Sequence, residues 1–177
     1  MTTTRIVTGH DSAGHADIVL SGALPDGSFR HTPGFSVELV WQTAPGRPID
    51  ARPADAVARI ESVIPAPGGS VAMVVTFPPD SHATEPGFDP QAAGEEFAAR
   101  MPGLAETFEA DGSGFHRSDT IDYGVVLDGE IVLDLDQGRT RRLRKGDVIV
   151  QVGTRHAWRN PGNAPAKLFF VLTGAQR

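Results

Sequence analysis

FHRSDTIDYGVVLDGE (115–130) and KGDVIVQVGTRHAWRN (145–160) decide how this chain reads. In the first, IDYGVVL has the Val, Ile and Tyr content of a strand. It ends at Asp128-Gly129, the dipeptide that most strongly signals a β-hairpin. EIVLDLD follows, where Ile131, Leu133 and Leu135 alternate with Glu130, Asp134 and Asp136, the two-residue period of a half-buried strand. DQG reads as the next turn, RTRRLR as a strand and KGD as another turn; DVIVQV, HAWRN and AKLFFVL complete the series. Six strands in roughly sixty residues predict antiparallel pairing in a sandwich or barrel.

Outward from this block the texture changes. Residues 1–80 carry Val-rich runs, ADIVLS (16–21), SVELVWQT (36–43) and SVAMVVTF (70–77), separated by breakers such as GALPDG and PAPGG. Within 45–65, the spacing of ADAVARIES suits a short helical turn. In 78–112, PPDSHATEPGFDP reads as an irregular loop and PQAAGEEFAARM as a helix, with Asp89 as N-cap, Pro90 at the first helical position and Pro102-Gly103 as the stop. That helix would either cover a barrel mouth or pack outside the barrel. The whole, 1–177, reads as one domain.

Composition excludes several classes. The formal net charge of −6 argues against a nucleic-acid partner, and the run Arg139, Arg141, Arg142, Arg144, Lys145 reads as a solvated strand face. The chain has no cysteine, so disulfides, thiolate metal ligands and thiol nucleophiles are ruled out. No apolar run approaches the ~20 residues that cross a bilayer, and MTTTRIVTGHD lacks the apolar centre of a signal peptide, so the expected location is cytoplasmic.

Residues 116, 118, 120 and 122 share parity, so on extended backbone their side chains face the same way. If that way is inward, His116 and Asp122 project into one interior space, and His156 on a later strand can join them. Tyr123 and Trp158 read as packing residues or pocket walls, Gln151 as a polar group inside the barrel, and Asn160 as the lock on a turn before Pro161-Gly162. His10, His15, His31 and His82 form no spaced motif.

These stretches resemble the cupin superfamily of small jelly-roll barrels. Its first motif runs Gly, His-x-His, three or four residues, Glu, six residues, Gly. Here His116 takes the place of the first His, Asp122 that of the Glu, and Gly129 follows six residues on. The second motif matches through Gly146, Gly153, His156 and Asn160. Ser118 stands where the second His would be, the glycine before His116 is displaced, and the Pro before the second Gly is absent. The resemblance covers 112–173. It implies an all-β, cupin-type double-stranded β-helix with extra N-terminal strands and one short helix before the main motif.

The resemblance also implies a divalent metal (Fe, Zn, Mn or Ni) held by His116, Asp122 and His156, two imidazoles and a carboxylate with open positions. Asp119 and Tyr123 are then the candidate proton-transfer groups, and Ser118, Gln151 and Trp158 line the substrate pocket. Three functions stay open: lyase, decarboxylase or isomerase chemistry on a small carbonyl- or carboxylate-bearing molecule; an Fe(II)-dependent dioxygenase; and a non-catalytic small-molecule binder. The expected partners are a small-molecule substrate and a second copy of the chain, with no nucleic acid and no membrane.

Overall fold

The computed structural model describes residues 3–58 and 60–177. Ten strands and one α-helix follow in order: β1 (Thr4–His10), β2 (Ala16–Ala23), β3 (Ser36–Thr43), β4 (Ser70–Phe77), α1 (Pro90–Arg100), β5 (Thr120–Asp128), β6 (Glu130–Asp134), β7 (Thr140–Arg144), β8 (Val148–Val152), β9 (Ala157–Arg159) and β10 (Ala166–Gly174). Every pairing is antiparallel. The larger sheet has the order β3-β4-β10-β5-β8, the smaller β7-β6-β9, and β1-β2 form a separate hairpin. Among the described residues, no helix is long and apolar enough to cross a membrane.

The two sheets close on one core, where Met73, Val126, Leu168 and Phe170 of the larger meet Ile131 and Leu143 of the smaller. Alternation makes this possible. Along β10 every second residue from Ala166 to Gly174 is buried, and β5 buries Thr120, Asp122, Gly124 and Val126. This is the all-β, double-stranded β-helix architecture, with its single α-helix ahead of the main strand block.

The strand runs of the sequence fall on β2 to β10, but three expectations change. Asp128-Gly129 is not a hairpin turn: β5 and β6 lie in different sheets, and the chain crosses between them there. Gly129 sits at φ +75°, and a Cβ on it would come within 2.6 Å of the Pro165 carbonyl oxygen, so the glycine serves a corner instead of a fold-back. ADAVARIES forms turns, bends and irregular backbone instead of a helical turn, with Asp55 paired to Arg5 (Nη1 to Oδ1 2.8 Å); its Arg59 lies outside the described residues. TRIVTGH, not read as a strand, is β1, registered against β2 from Thr4 opposite Ala23 to His10 opposite Ala16.

The helix forms as its ends dictate. The Asp89 carboxylate accepts from the Gln91 and Ala92 amides (3.0 and 3.1 Å), with Pro90 next to it at the first helical position. Glu96 then accepts the backbone amides of Arg30 and His31 (2.8 and 2.7 Å), tying α1 to the loop before β3. Arg100 lies 4.1 Å over the Phe29 ring. Ala93, Phe97 and Ala98 of the helix so tied line the cavity described below.

Candidate functional site

A cavity of about 580 Å³ lies between the larger sheet, the smaller sheet and α1. Its wall divides in two. Most of it is apolar, with Phe35, Met73 and Phe77 from the first half of the chain, Phe97 and Met101 from α1, and Phe170 from β10. The polar remainder gathers His116, Ser118, Asp122, Gln151 and His156, with Trp158 beside them. Parity accounts for this grouping: Ser118, Thr120 and Asp122 are all buried, and Gln151 is directly opposite Asp122 in the β5–β8 register. Gly124 lets the neighbouring wall come close, since a Cβ there would sit 2.8 Å from the Phe170 ring.

The two histidines meet backbone to backbone. His116 and His156 exchange amide-to-carbonyl hydrogen bonds of 2.9 and 3.0 Å, bringing their ring centroids to 4.2 Å. Phe108 stacks on the other side of His116 at 4.2 Å and 14°. Each Nδ1 faces a carbonyl that can only accept, Gly114 for His116 (3.3 Å) and Thr154 for His156 (2.9 Å). Nδ1 therefore carries the proton, and the neutral ring presents a lone pair at Nε2. Burial, with the nearby His156 ring adding to it, lowers the His116 pKa to about 4. Burial lowers that of His156 as well.

Asp122 moves the other way. Burial raises its carboxyl to about 6, against the hydrogen bond from the Thr120 hydroxyl that favours the charged form. Its Oδ1 has no hydrogen-bond partner, and neither does Gln151 Nε2. Two polar atoms of residues that line the cavity are thus buried on facing strands without a hydrogen-bond partner. Each costs about 1–3 kcal/mol while unsatisfied.

Asp119 and Tyr123 do not reach this cavity, which corrects the expectation that they transfer protons. Their odd positions put them on the far side of the strand. Asp119 accepts from the Arg177 guanidinium at the surface, and Tyr123 is 52% exposed on the outer face. Asn160 is a turn lock: its amide nitrogen donates to the Phe77 and Ala164 carbonyls (3.0 and 2.9 Å), and its oxygen accepts from the Gly162 amide (3.1 Å). His10, His15 and His31 are exposed, and His82 lies by Pro33 and Glu85 outside the main cavity. Of the basic run, Arg142 and Arg144 pair with Glu130 and Lys145 with Asp128.

The apolar wall is what sequence reasoning missed. Its signals were present in the odd positions Met73, Val75 and Phe77 of β4 and the four-residue step from Phe97 to Met101 on α1, but nothing in the sequence says that these faces look toward His116.

The residues present do not fit a metal centre with three protein ligands. Ser118 holds its hydroxyl 2.7 Å from that of Thr120, and Asp122 lies opposite Gln151 in the β5–β8 register. Among the described residues no three His, Asp or Glu side chains come close enough to share one ion. The two Nε2 lone pairs supply two donors of the three or more that such a centre needs.

Known proteins match part of this chain. Phomopsin biosynthesis cluster protein C′ of Diaporthe leptostromiformis is 55% identical over 62 residues, 34% of this chain and 33% of that protein. Oryzines biosynthesis cluster protein J of Aspergillus oryzae is 51% identical over 63 residues, 35% of each. The cupin-domain-containing oxidoreductase fogC of Aspergillus ruber is 38% identical over 92 residues, 50% of this chain and 42% of that one. The chain thus spans well under two thirds of the length of the relatives it matches. The model of the cupin domain family matches residues 106–172, the stretch that contains His116, Asp122, Gln151 and His156.

Proposed function

We propose that this chain is a cupin enzyme that moves a proton on a small organic molecule held in the cavity, in lyase or isomerase fashion. The observation that carries the reading is the unpartnered, buried oxygen of Asp122, a residue that lines the same largely apolar cavity as two neutral imidazoles. A carboxyl whose pKa is pushed to about 6 is tuned for transfer in both directions near neutral pH. Asp122 takes the proton from a carbon next to a carbonyl and returns it elsewhere on the substrate. Gln151 donates its open N–H to the oxygen on which negative charge gathers. His116 and His156 accept hydrogen bonds at Nε2 and orient the molecule, and the apolar wall keeps competing water away. The relatives' names support a small-molecule substrate in a biosynthetic setting. Two of the oxidoreductase-named relatives are 43% and 44% identical over the matched stretch; proton transfer is the step that this site's own side chains supply.

The test is solvent deuterium exchange. A panel of cyclic and acyclic ketones and 1,3-diketones is incubated in D₂O, and loss of the α-proton signal is followed by NMR. Wild type accelerates exchange on at least one member, and Asp122→Asn slows it about 10²–10⁴-fold. Equal rates in the two chains would sink the reading. One metal ion per chain, lost in both His116→Ala and His156→Ala, would replace it with a metalloenzyme. Oxygen uptake that requires ferrous iron would replace it with a dioxygenase, and tight binding without exchange would leave a binding module.

A further inference from the structure

We infer that the cavity takes an uncharged, largely apolar molecule bearing a hydroxyl or enol group, which is held between Asp122 and Gln151, and that it turns carboxylates and phosphates away. This rests on the proton-transfer reading of the same cavity and names its substrate class.

Two residues of the polar wall carry complementary polar atoms, buried and without a hydrogen-bond partner. Asp122 Oδ1 wants a donor and Gln151 Nε2 wants an acceptor. Both side chains are more than nine-tenths buried, at 8% and 4% exposure, and both line the cavity. They are direct cross-strand partners, a relation that sets Cβ atoms about 5 Å apart. One hydroxyl answers both, giving its proton to the carboxylate and accepting from the amide. The enol form of a ketone presents the same pair of functions, so recognition and proton transfer use the same two atoms.

Charge makes the exclusion. No lysine or arginine lines the cavity among the described residues. Of the two acidic groups that do, Glu109 is held by the Arg155 guanidinium (2.6 and 2.7 Å), which leaves the Asp122 carboxyl without a cation. A carboxylate or phosphate entering here would meet a like charge in a low-dielectric pocket and none of the forked cations that usually receive such groups. The carboxylate-bearing half of the expected substrate class is therefore the half this cavity rejects. The remaining wall of Phe35, Phe77, Phe97, Trp158 and Phe170 suits a ring or alkyl body, and the volume falls within the range of pockets for small organic ligands.

The chain has two tryptophans, so a Trp41→Phe background leaves Trp158 in the cavity wall as the fluorescent reporter. Three ligands of one shape are titrated at pH 7.5: 4-butylphenol, neutral there because a phenol ionises near pH 10; butylbenzene, with no polar group; and 4-butylbenzoate, an anion. The phenol is expected to bind at least tenfold more tightly than the benzoate. Gln151→Leu should weaken the phenol about tenfold, to the level of butylbenzene, while leaving butylbenzene within twofold. Asp122→Asn, a second and isosteric variant, should weaken the phenol and strengthen the benzoate. Benzoate binding as tightly as phenol, no phenol binding at millimolar concentration, or a phenol affinity indifferent to both variants would overturn the inference. Binding is read here without turnover. Failure of the exchange assay therefore leaves these outcomes intact, and a benzoate preference would refute the substrate class even where exchange depends on Asp122.

Discussion

Strand β5 shows two faces that differ in everything but their backbone. Its even positions, Thr120, Asp122, Gly124 and Val126, are buried, and they carry the polar wall of the cavity and part of the core. Its odd positions include Tyr123 and Leu127, and they continue on the neighbouring strand through Val148, Val150 and Val152, all exposed. The outer face is the more apolar of the two at this point, so hydrophobicity alone would have assigned the faces backwards. What settles them is covalent: Asp122 and Ser118 must be on the same side, and Asp119 and Tyr123 on the other. The parity that gathers the site residues is the parity that removes two of the expected catalytic groups.

The largest difference between the faces should appear in stability. Leu168, on β10 opposite Val126 and fully buried at 0% exposure, is expected to cost about 3–5 kcal/mol on replacement by alanine. Val150→Ala, at a side chain 53% exposed, should cost no more than about 0.5 kcal/mol. Denaturant unfolding followed by tryptophan fluorescence measures both. A cost at Val150 near that at Leu168 would break the comparison and mean that another surface covers the outer face.

A smaller effect, on the order of 3 kcal/mol, separates the two kinds of titrating group within the polar wall. Burial lifts Asp122 from 3.8 to about 6, so the folded chain keeps a proton that the unfolded chain releases near pH 4. Stability from this group falls as pH rises from about 4 to about 6 and is level beyond. His116 drops from 6.5 to about 4, so the unfolded chain takes up a proton that the folded chain refuses. Stability from this group falls as pH drops from about 6.5 to about 4, and His156, also lowered, acts in the same direction. At 1.36 kcal/mol per pH unit, the Asp122 and His116 contributions are similar in size and opposite in sign. Wild type should therefore change little for Asp122 and His116 together. Asp122→Asn should uncover the histidine slope and lose about 3 kcal/mol or more between pH 6.5 and 4. Unfolding midpoints across that range decide it, and identical slopes in the two chains would refute the opposition.

Legibility in the sequence follows the same division. Strands β3 and β4 and the block from β5 to β10 were readable because alternation and Gly-centred turns are local properties. So was α1, whose Asp89-Pro90 start is a local signal. Which strands pair is not local. Asp128-Gly129 has the composition of a hairpin, yet the chain changes sheets there, at a glycine whose Cβ would run into the carbonyl of the distant Pro165. β1 was missed because TRIVTGH has only Ile6 and Val7 as large apolar residues and becomes a strand only against β2. At the site, His116, Ser118, Asp122, Gln151, His156 and Trp158 were all nameable, and the structure lines one cavity with them. Their meaning shifted because ligand counting needs distances: Ser118 bonds to Thr120 and Asp122 faces Gln151, neither of which spacing can report.

The smallest expected effects test the outward side of β5 directly. Asp119→Asn and Tyr123→Phe should leave deuterium exchange and phenol binding within about twofold, because neither side chain lines the cavity. Each removes a proton-transfer function while keeping shape, so a tenfold loss in either would reinstate an expectation that parity removes. Tyr123→Phe also leaves the apolar outer face intact, whereas Val150→Lys puts a charge at its centre, opposite Tyr123 in the β5–β8 register. If the expected homodimer forms, β8, at the end of the larger sheet, and its three exposed valines are where a second copy meets the least polar surface. Light scattering at micromolar concentration should then give twice the chain mass for wild type and for Tyr123→Phe, and the single-chain mass for Val150→Lys. A monomer in all three would mean that the outer face stays in water, and that the contrast between the faces of β5 belongs to the cavity alone.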